Sequence, residues 1–273
     1  YYELAAKQNN SDALYNMGVF YLKGFGVKHN YTKAKELYEL AAKQNCTKAL
    51  VGLGEIYCCG IGVEKDFDKA KEYYELAAKK NDPTALYNLG YFYENEIGVN
   101  KDYVKAKQYY ELAAKQNNPV ALNRLAYFYE TGLGVHKDYY RARECYEILA
   151  KQNYSNAFYK LGEFYFNGNG VEKNYIKAKE YYLLAANKSH SKALFNLGEL
   201  YFNGYGVEKD NLKALRYYKL AANQFDSEAL FKLGQLYHKG IGVKKDLFKA
   251  KEYYELAGYN NNPDAFYYLA GLY

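Results

Sequence analysis

No run of about 18 apolar residues occurs anywhere in the 273-residue sequence, so no segment is expected to span a bilayer and no membrane insertion is expected. Cysteine is scarce: Cys46, Cys58, Cys59 and Cys145 are the whole complement. They recur at no fixed place, which excludes a disulfide framework, and they lack the paired Cys or His spacing of a zinc site. Such usage favours a reducing compartment, the cytoplasm, while any targeting region would lie outside the visible N-terminus. His29, His136, His190 and His238 sit at unrelated places and converge on no metal, so no metal and no cofactor are expected. No acid–base pair in a definable pocket can be named, and the chain is not expected to be an enzyme. The net charge of +6, from 37 Lys and Arg against 31 Asp and Glu, is spread without a cluster, which argues against a nucleic-acid partner.

What the sequence has instead is a repeat. The stretch Ala-Leu-x-x-Leu-Gly-x-x-Tyr-x-x-Gly-x-Gly-Val-x-x-Asp, then x-x-Lys-Ala-x-x-Tyr-Tyr-x-Leu-Ala-Ala-Lys, runs from Ala49 to Lys79. The same register returns at Ala13, Ala85, Ala121, Ala157, Ala193, Ala229 and Ala265, always 36 residues apart. A fixed period of this length marks a solenoid, whose units are too small to close a core alone and bury their apolar faces on each other. The expected organisation is one array: a partial unit 1–12, full units 13–48, 49–84, 85–120, 121–156, 157–192, 193–228 and 229–264, and a partial unit 265–273. Because Tyr1–Lys7 reads as the second half of a unit and Tyr273 stops in a first half, the chain is expected to be a piece of a longer protein.

Each unit reads as two helices. In the first, helix A, the residues Leu14, Met17, Gly18 and Tyr21 at i, i+3, i+4 and i+7 form one apolar stripe. Ser11 or Asp12 is expected to cap it, as are Ser155, Ser191, Ser227 and the Pro83, Pro119 and Pro263 segments in other units. A glycine loop follows, with Gly26, Gly62, Gly98, Gly134, Gly170, Gly206 and Gly242 invariant within the chain, as a positive φ or a close approach demands. Asn30, Asp66, Asp102, Asp138, Asn174, Asp210 or Asp246 closes the loop and is expected to cap helix B. Small Ala34, Ala70 and Ala106 let helix B approach helix A, and Tyr38, Tyr74 and Tyr110 fill the space between units. Glu39, Glu75, Glu111 and Glu147 precede Lys43, Lys79, Lys115 and Lys151 at i+4, the spacing of surface ion pairs.

On these residues the chain resembles the Sel1-like repeat, a relative of the tetratricopeptide repeat, over essentially its whole length. Departures are few: Glu96 replaces the first loop glycine, Ala126 and Ala270 the helix A glycine, and Gly258 the last alanine. The resemblance implies an all-α, right-handed superhelical solenoid of stacked antiparallel helix pairs. It also implies a scaffold or adaptor that binds a polypeptide in its concave groove and performs no chemistry. A cysteine-rich bacterial branch implies an alternative, a beta-lactamase-like hydrolase, but its Cys pair in every unit is missing here. Ser189-His190-Ser191-Lys192 matches S-x-x-K without the S-D-N and K-T-G elements that such enzymes need. A passive spacer within a larger protein is the other alternative.

The third, seventh and tenth residues of each helix A, counted from its alanine, change from unit to unit and face away from the apolar stripe. In tetratricopeptide relatives the equivalent positions line the concave groove. The candidate partner-binding residues are Tyr87, Tyr91 and Glu94; Tyr127 and Glu130; Tyr159, Glu163 and Phe166; Phe195, Glu199 and Phe202; and Phe231, Gln235 and His238. An aromatic, locally acidic groove is expected to receive a protein or peptide carrying Lys or Arg.

Overall fold

A computed structural model describes residues 10–272; the terminal half-unit at Tyr1–Lys7 and the final Tyr273 lie outside the described residues. Every regular element among the described residues is an α-helix. Two compact units divide the chain between Lys137 and Asp138. In the first, α1 (Ser11–Lys23) packs on α2 (Tyr31–Lys43), α3 (Thr47–Cys59) on α4 (Phe67–Ala78) and α5 (Pro83–Asn95) on α6 (Tyr103–Ala114), and α7 (Pro119–Thr131) follows. The second begins with α8 (Tyr139–Lys151) and contains the pairs α9 (Ser155–Asn167) with α10 (Tyr175–Ala186), α11 (Ser191–Asn203) with α12 (Asn211–Ala222) and α13 (Ser227–Lys239) with α14 (Leu247–Tyr259). It ends in α15 (Ala265–Ala270). Each helix B also packs on the helix A that follows it within its own unit, as α2 does on α3 and α10 on α11.

The helix boundaries follow from capping chemistry. The side chains of Asn30, Asp66, Asp102, Asp138, Asn174, Asp210 and Asp246 each accept a hydrogen bond from the backbone N–H three residues on, as the sequence leads one to expect. The helix A caps fall one residue earlier than expected. Asn10, Asp82, Asn118, His190 and Asp226 accept the capping bond. Ser11, Pro83, Pro119, Ser191 and Ser227 already have helical geometry, where proline's missing N–H costs nothing.

Glycine and tyrosine together set the spacing within each pair. The ring of Tyr38, Tyr74 or Tyr110 in the first unit, and of Tyr182, Tyr218 or Tyr254 in the second, lies with its Cδ1 and Cε1 atoms against the helix A glycine of its own pair. A methyl group added at Gly198 would come within 2.5 Å of the Tyr218 ring. The far edge of the same tyrosine meets the next helix A: Tyr74 and Tyr110 lie edge-on to Phe92 and Phe128, with centroids 5.6 and 5.5 Å apart. One side chain thus ties a helix pair to its successor, and each such ring pair adds about 0.5–1.5 kcal/mol beyond the area it buries.

The loop glycines hold positive φ, 67° at Gly62 for example, and a methyl added at Gly62, Gly98, Gly134, Gly170, Gly206 or Gly242 would press on the first residue of the preceding helix B. Glu96 takes the same left-handed geometry at φ 60° where other units have glycine. The outer ion pairs differ from the expected Glu-to-Lys order. Lys35–Glu39, Lys107–Glu111, Arg143–Glu147 and Lys251–Glu255 form instead, with the cation one turn before the carboxylate. Lys79 and Lys115 occupy C-caps at the end of helix B, where the last carbonyls attract a cation.

Candidate functional site

The candidate residues fall into three groups by exposure. Tyr91 on α5 and Tyr127 on α7 stand out from the first unit, 43% and 41% exposed. Tyr87, Glu130, Tyr159, Glu163, Phe166, Phe195, Glu199, Phe202, Gln235 and His238 are half-buried. Glu94 and Phe231 are buried, contrary to the expectation that both line an open surface. Phe231 is covered because Tyr254 and Tyr268 close on it, with centroids 5.7 and 5.1 Å away.

The third-place aromatics belong to the packing. Tyr87 lies 5.6 Å from Tyr110, Tyr159 lies 6.1 Å from Tyr182, and Phe195 lies 5.8 Å from Tyr218. Each roofs the helix B tyrosine that rests on the helix A glycine. Tyr159 is further held by stacking on His190 at 4.6 Å and by donating its hydroxyl to Glu163 at 2.7 Å. The seventh place is the one that turns outward in the first unit, at Tyr91 and Tyr127.

Glu94, Glu163 and Glu199 are paired within the chain. Glu94 accepts from the Tyr110 hydroxyl at 2.6 Å and from Arg124 Nε at 2.8 Å, with a second guanidinium nitrogen on its other oxygen. Glu199 accepts from Tyr218 at 2.6 Å and pairs with Lys232 at 3.2 Å; Glu163 pairs with Lys160 at 3.2 Å. Burial first, and then the neighbouring carboxylate, hold the phenols of Tyr110, Tyr159 and Tyr218 far above their ordinary range. The Tyr254 phenol is pushed up to about 12, chiefly by burial. The hydrogen bond to Glu94 raises the Arg124 guanidinium. Glu94, Glu163 and Glu199 are therefore each balanced by a cation of the chain itself.

The cations responsible, Arg124, Lys160 and Lys232, all occupy the fourth place of helix A, which the sequence reading passed over. Glu94 and Glu199 reach 30 and 33 residues forward to their partners. A comparison of fourth places with the acidic seventh and tenth places of the preceding unit would have found them. Arg124 also lies over the Tyr127 ring, 4.6 Å from its centroid. The lysine of helix B's first turn has a recurrent place too. Lys69 lies over Tyr57, Lys105 over Tyr93, Lys213 over Tyr201 and Lys249 over Tyr237, 4.3 to 5.3 Å from the centroids. The tyrosine beneath stacks in parallel on a helix B tyrosine, as in Tyr57–Tyr73 and Tyr201–Tyr217.

Among the described residues no group of three or more His, Cys, Asp and Glu side chains could hold a metal ion. The four cysteines are free thiols. Ser189 lies in a left-handed turn, and His190 caps α11 through Nδ1.

The Sel1 repeat model matches residues 1–10, 11–46, 47–82, 83–118, 119–154, 155–190, 191–224 and 227–262. Its units begin two residues before the alanines used above to mark the repeat. No curated protein matches the sequence. Among solved structures, c5321, a protective antigen of uropathogenic Escherichia coli with an SLR fold, is 31% identical at a TM-score of 0.90; the match covers 100% of this chain and 58% of that one. This chain thus spans little more than half the length of that relative. A Sel1 repeat protein from Oxalobacter formigenes is 29% identical at a TM-score of 0.79, covering 100% of this chain and 79% of the other. Yeast Tom70, 15% identical at a TM-score of 0.51, covers 96% of this chain and 53% of its own and shares the fold alone. The fold is a repeat scaffold of the kind that commonly mediates protein interactions, and the chain belongs to the Sel1 repeat family.

Proposed function

We propose that the chain is a non-catalytic scaffold that holds a polypeptide partner on the outward residues of its A helices. The observation that carries this reading is the pair Tyr91 and Tyr127. They occupy the same place on successive A helices, each more than two-fifths exposed, with Arg124 over one ring. Large exposed aromatics with a guanidinium beside them are the side chains on which binding energy concentrates. Because Glu94 is buried and paired with Arg124, both charges of that pair are already met, and the partner segment meets chiefly aromatic surface, to which it contributes apolar or aromatic side chains.

Replacing Tyr91 and Tyr127 together by serine tests the reading. A partner captured by crosslinking to the unaltered chain is lost from the double variant, while the melting temperature is unchanged. A large fall in melting temperature with capture retained would assign both rings to packing. The hydrolase alternative has no comparable support, since Ser189 and His190 are engaged in a turn and a helix cap.

A further inference from the structure

The A-to-B loops of the second unit form a continuous edge. Gly170 lies against Tyr139, Gly206 against Tyr175 and Gly242 against Asn211, so closely that an added methyl would come within 2.7, 2.6 and 3.0 Å. The first residue of each helix B therefore supports the next loop, and the second residue is left to project. In this unit the second residues are Tyr140, Ile176, Leu212 and Phe248, exposed to 55%, 56%, 63% and 85%. At the same place the first unit has Thr32, Asp68 and Val104.

Cations bracket this row. Arg141 follows Tyr140, and pairs of lysines flank the next three: Lys173 and Lys177, Lys209 and Lys213, Lys245 and Lys249. In the last loop Lys244 stands where Glu172 and Glu208 stand in the two before it. Arg141, Lys213 and Lys249 are paired with Asp138, Asp210 and Asp246, so the basic excess of the edge rests on Lys173, Lys177, Lys209, Lys244 and Lys245 against Glu172 and Glu208.

Projecting aliphatic side chains narrow the choice of occupant. A protein partner gains most where an anchor fills a recessed pocket, and nucleic acid gains from cations on phosphate but little from Ile or Leu. A bilayer surface accepts protrusions, taking apolar side chains at the headgroup boundary while lysines meet anionic lipids. We propose that this edge docks peripherally on an anionic phospholipid surface, with Ile176, Leu212 and Phe248 entering the headgroup region. No helix among the described residues is long and apolar enough to cross a membrane, so the contact is superficial.

The test is co-sedimentation of the chain with phosphatidylserine-containing vesicles and with pure phosphatidylcholine vesicles. The chain partitions onto the former and much less onto the latter, and added salt releases it. The triple variant Ile176→Ser, Leu212→Ser, Phe248→Ser binds roughly tenfold more weakly or worse, with an unchanged circular dichroism spectrum because all three side chains project. Lys244→Glu weakens binding without the triple change. Failure to partition, or partitioning that the triple variant leaves intact, overturns the proposal. So does a result in which the same row instead pairs two copies of the chain in sedimentation velocity.

Discussion

Gly198→Ala is predicted to destabilise the second unit although alanine is the better helix former. The added methyl would sit 2.5 Å from Tyr218 Cε1 and 2.6 Å from Cδ1, where ordinary contact is about 3.5–4 Å, so the ring must retreat by about 1 Å. That ring is fully buried, and its hydroxyl is tethered to Glu199 at 2.6 Å. Overpacking of this kind costs about 1–3 kcal/mol, against about 1 kcal/mol gained in helix propensity. The net loss is up to about 2 kcal/mol, read as a lower denaturation midpoint at unchanged slope. Ala126 holds the matching place in the first unit, so the prediction is made for the Gly198–Tyr218 contact alone. In a Tyr218→Leu background the clash is gone and Gly198→Ala becomes stabilising, a sign reversal that a double-mutant cycle reads directly. Equal or greater stability of the single variant would refute the account of how the helix pairs are spaced.

Glu96→Gly removes a left-handed backbone strain that the other loops avoid and raises stability by about 1 kcal/mol, measured by thermal melting. Glu94→Ala strands the Tyr110 hydroxyl and Arg124; with Arg124 still reaching solvent the loss is about 2–3 kcal/mol, and adding Arg124→Ala restores part of it in chemical denaturation. Tyr38, Tyr74, Tyr110, Tyr182, Tyr218 and Tyr254 all have phenol pKa values raised chiefly by burial. The fold holds the neutral phenol. Above about pH 10 the unfolded chain loses protons that the folded chain keeps, so stability falls by about 1.4 kcal/mol per pH unit for each such tyrosine. Unfolding and tyrosinate absorbance should rise together in an alkaline titration. His190 has the opposite sign: burial, then Lys192, lowers its pKa, so its cap on α11 is intact above the ordinary histidine range and lost as pH falls through the depressed value. His190→Asn should remove that acid-side loss from the melting profile.

Much of the fold is written in the repeat itself. The loop Asp and Asn caps, the invariant loop glycines and the Ala–Tyr face of helix B each have one local cause, repeated at a fixed interval, and all stand where the period puts them. Helix A starts one residue earlier than expected because serine and proline are acceptable both at a cap and just inside it, and only Asn10, Asp82, Asn118, His190 and Asp226 make the bond. The surface was less legible. Helical spacing marks which residues of helix A leave the apolar stripe, but not whether a neighbouring helix covers them, as Tyr110 and Arg124 cover Glu94 and as Tyr254 and Tyr268 cover Phe231. Charge was less legible for the same reason: Glu94 and Glu199 find their cations on the next helix A, 30 and 33 residues on, and a helix taken singly shows only half of such a pair.

The central claim, that outward residues of the A helices hold a polypeptide, is tested most directly by site-specific photocrosslinking in the first unit. A photoreactive phenylalanine in place of Tyr127 on α7 is compared with one in place of Leu112, which is exposed on α6. A discrete adduct with one polypeptide from position 127, absent from position 112, is the predicted result. Adducts from position 112 alone, or the same adduct from both, would contradict it.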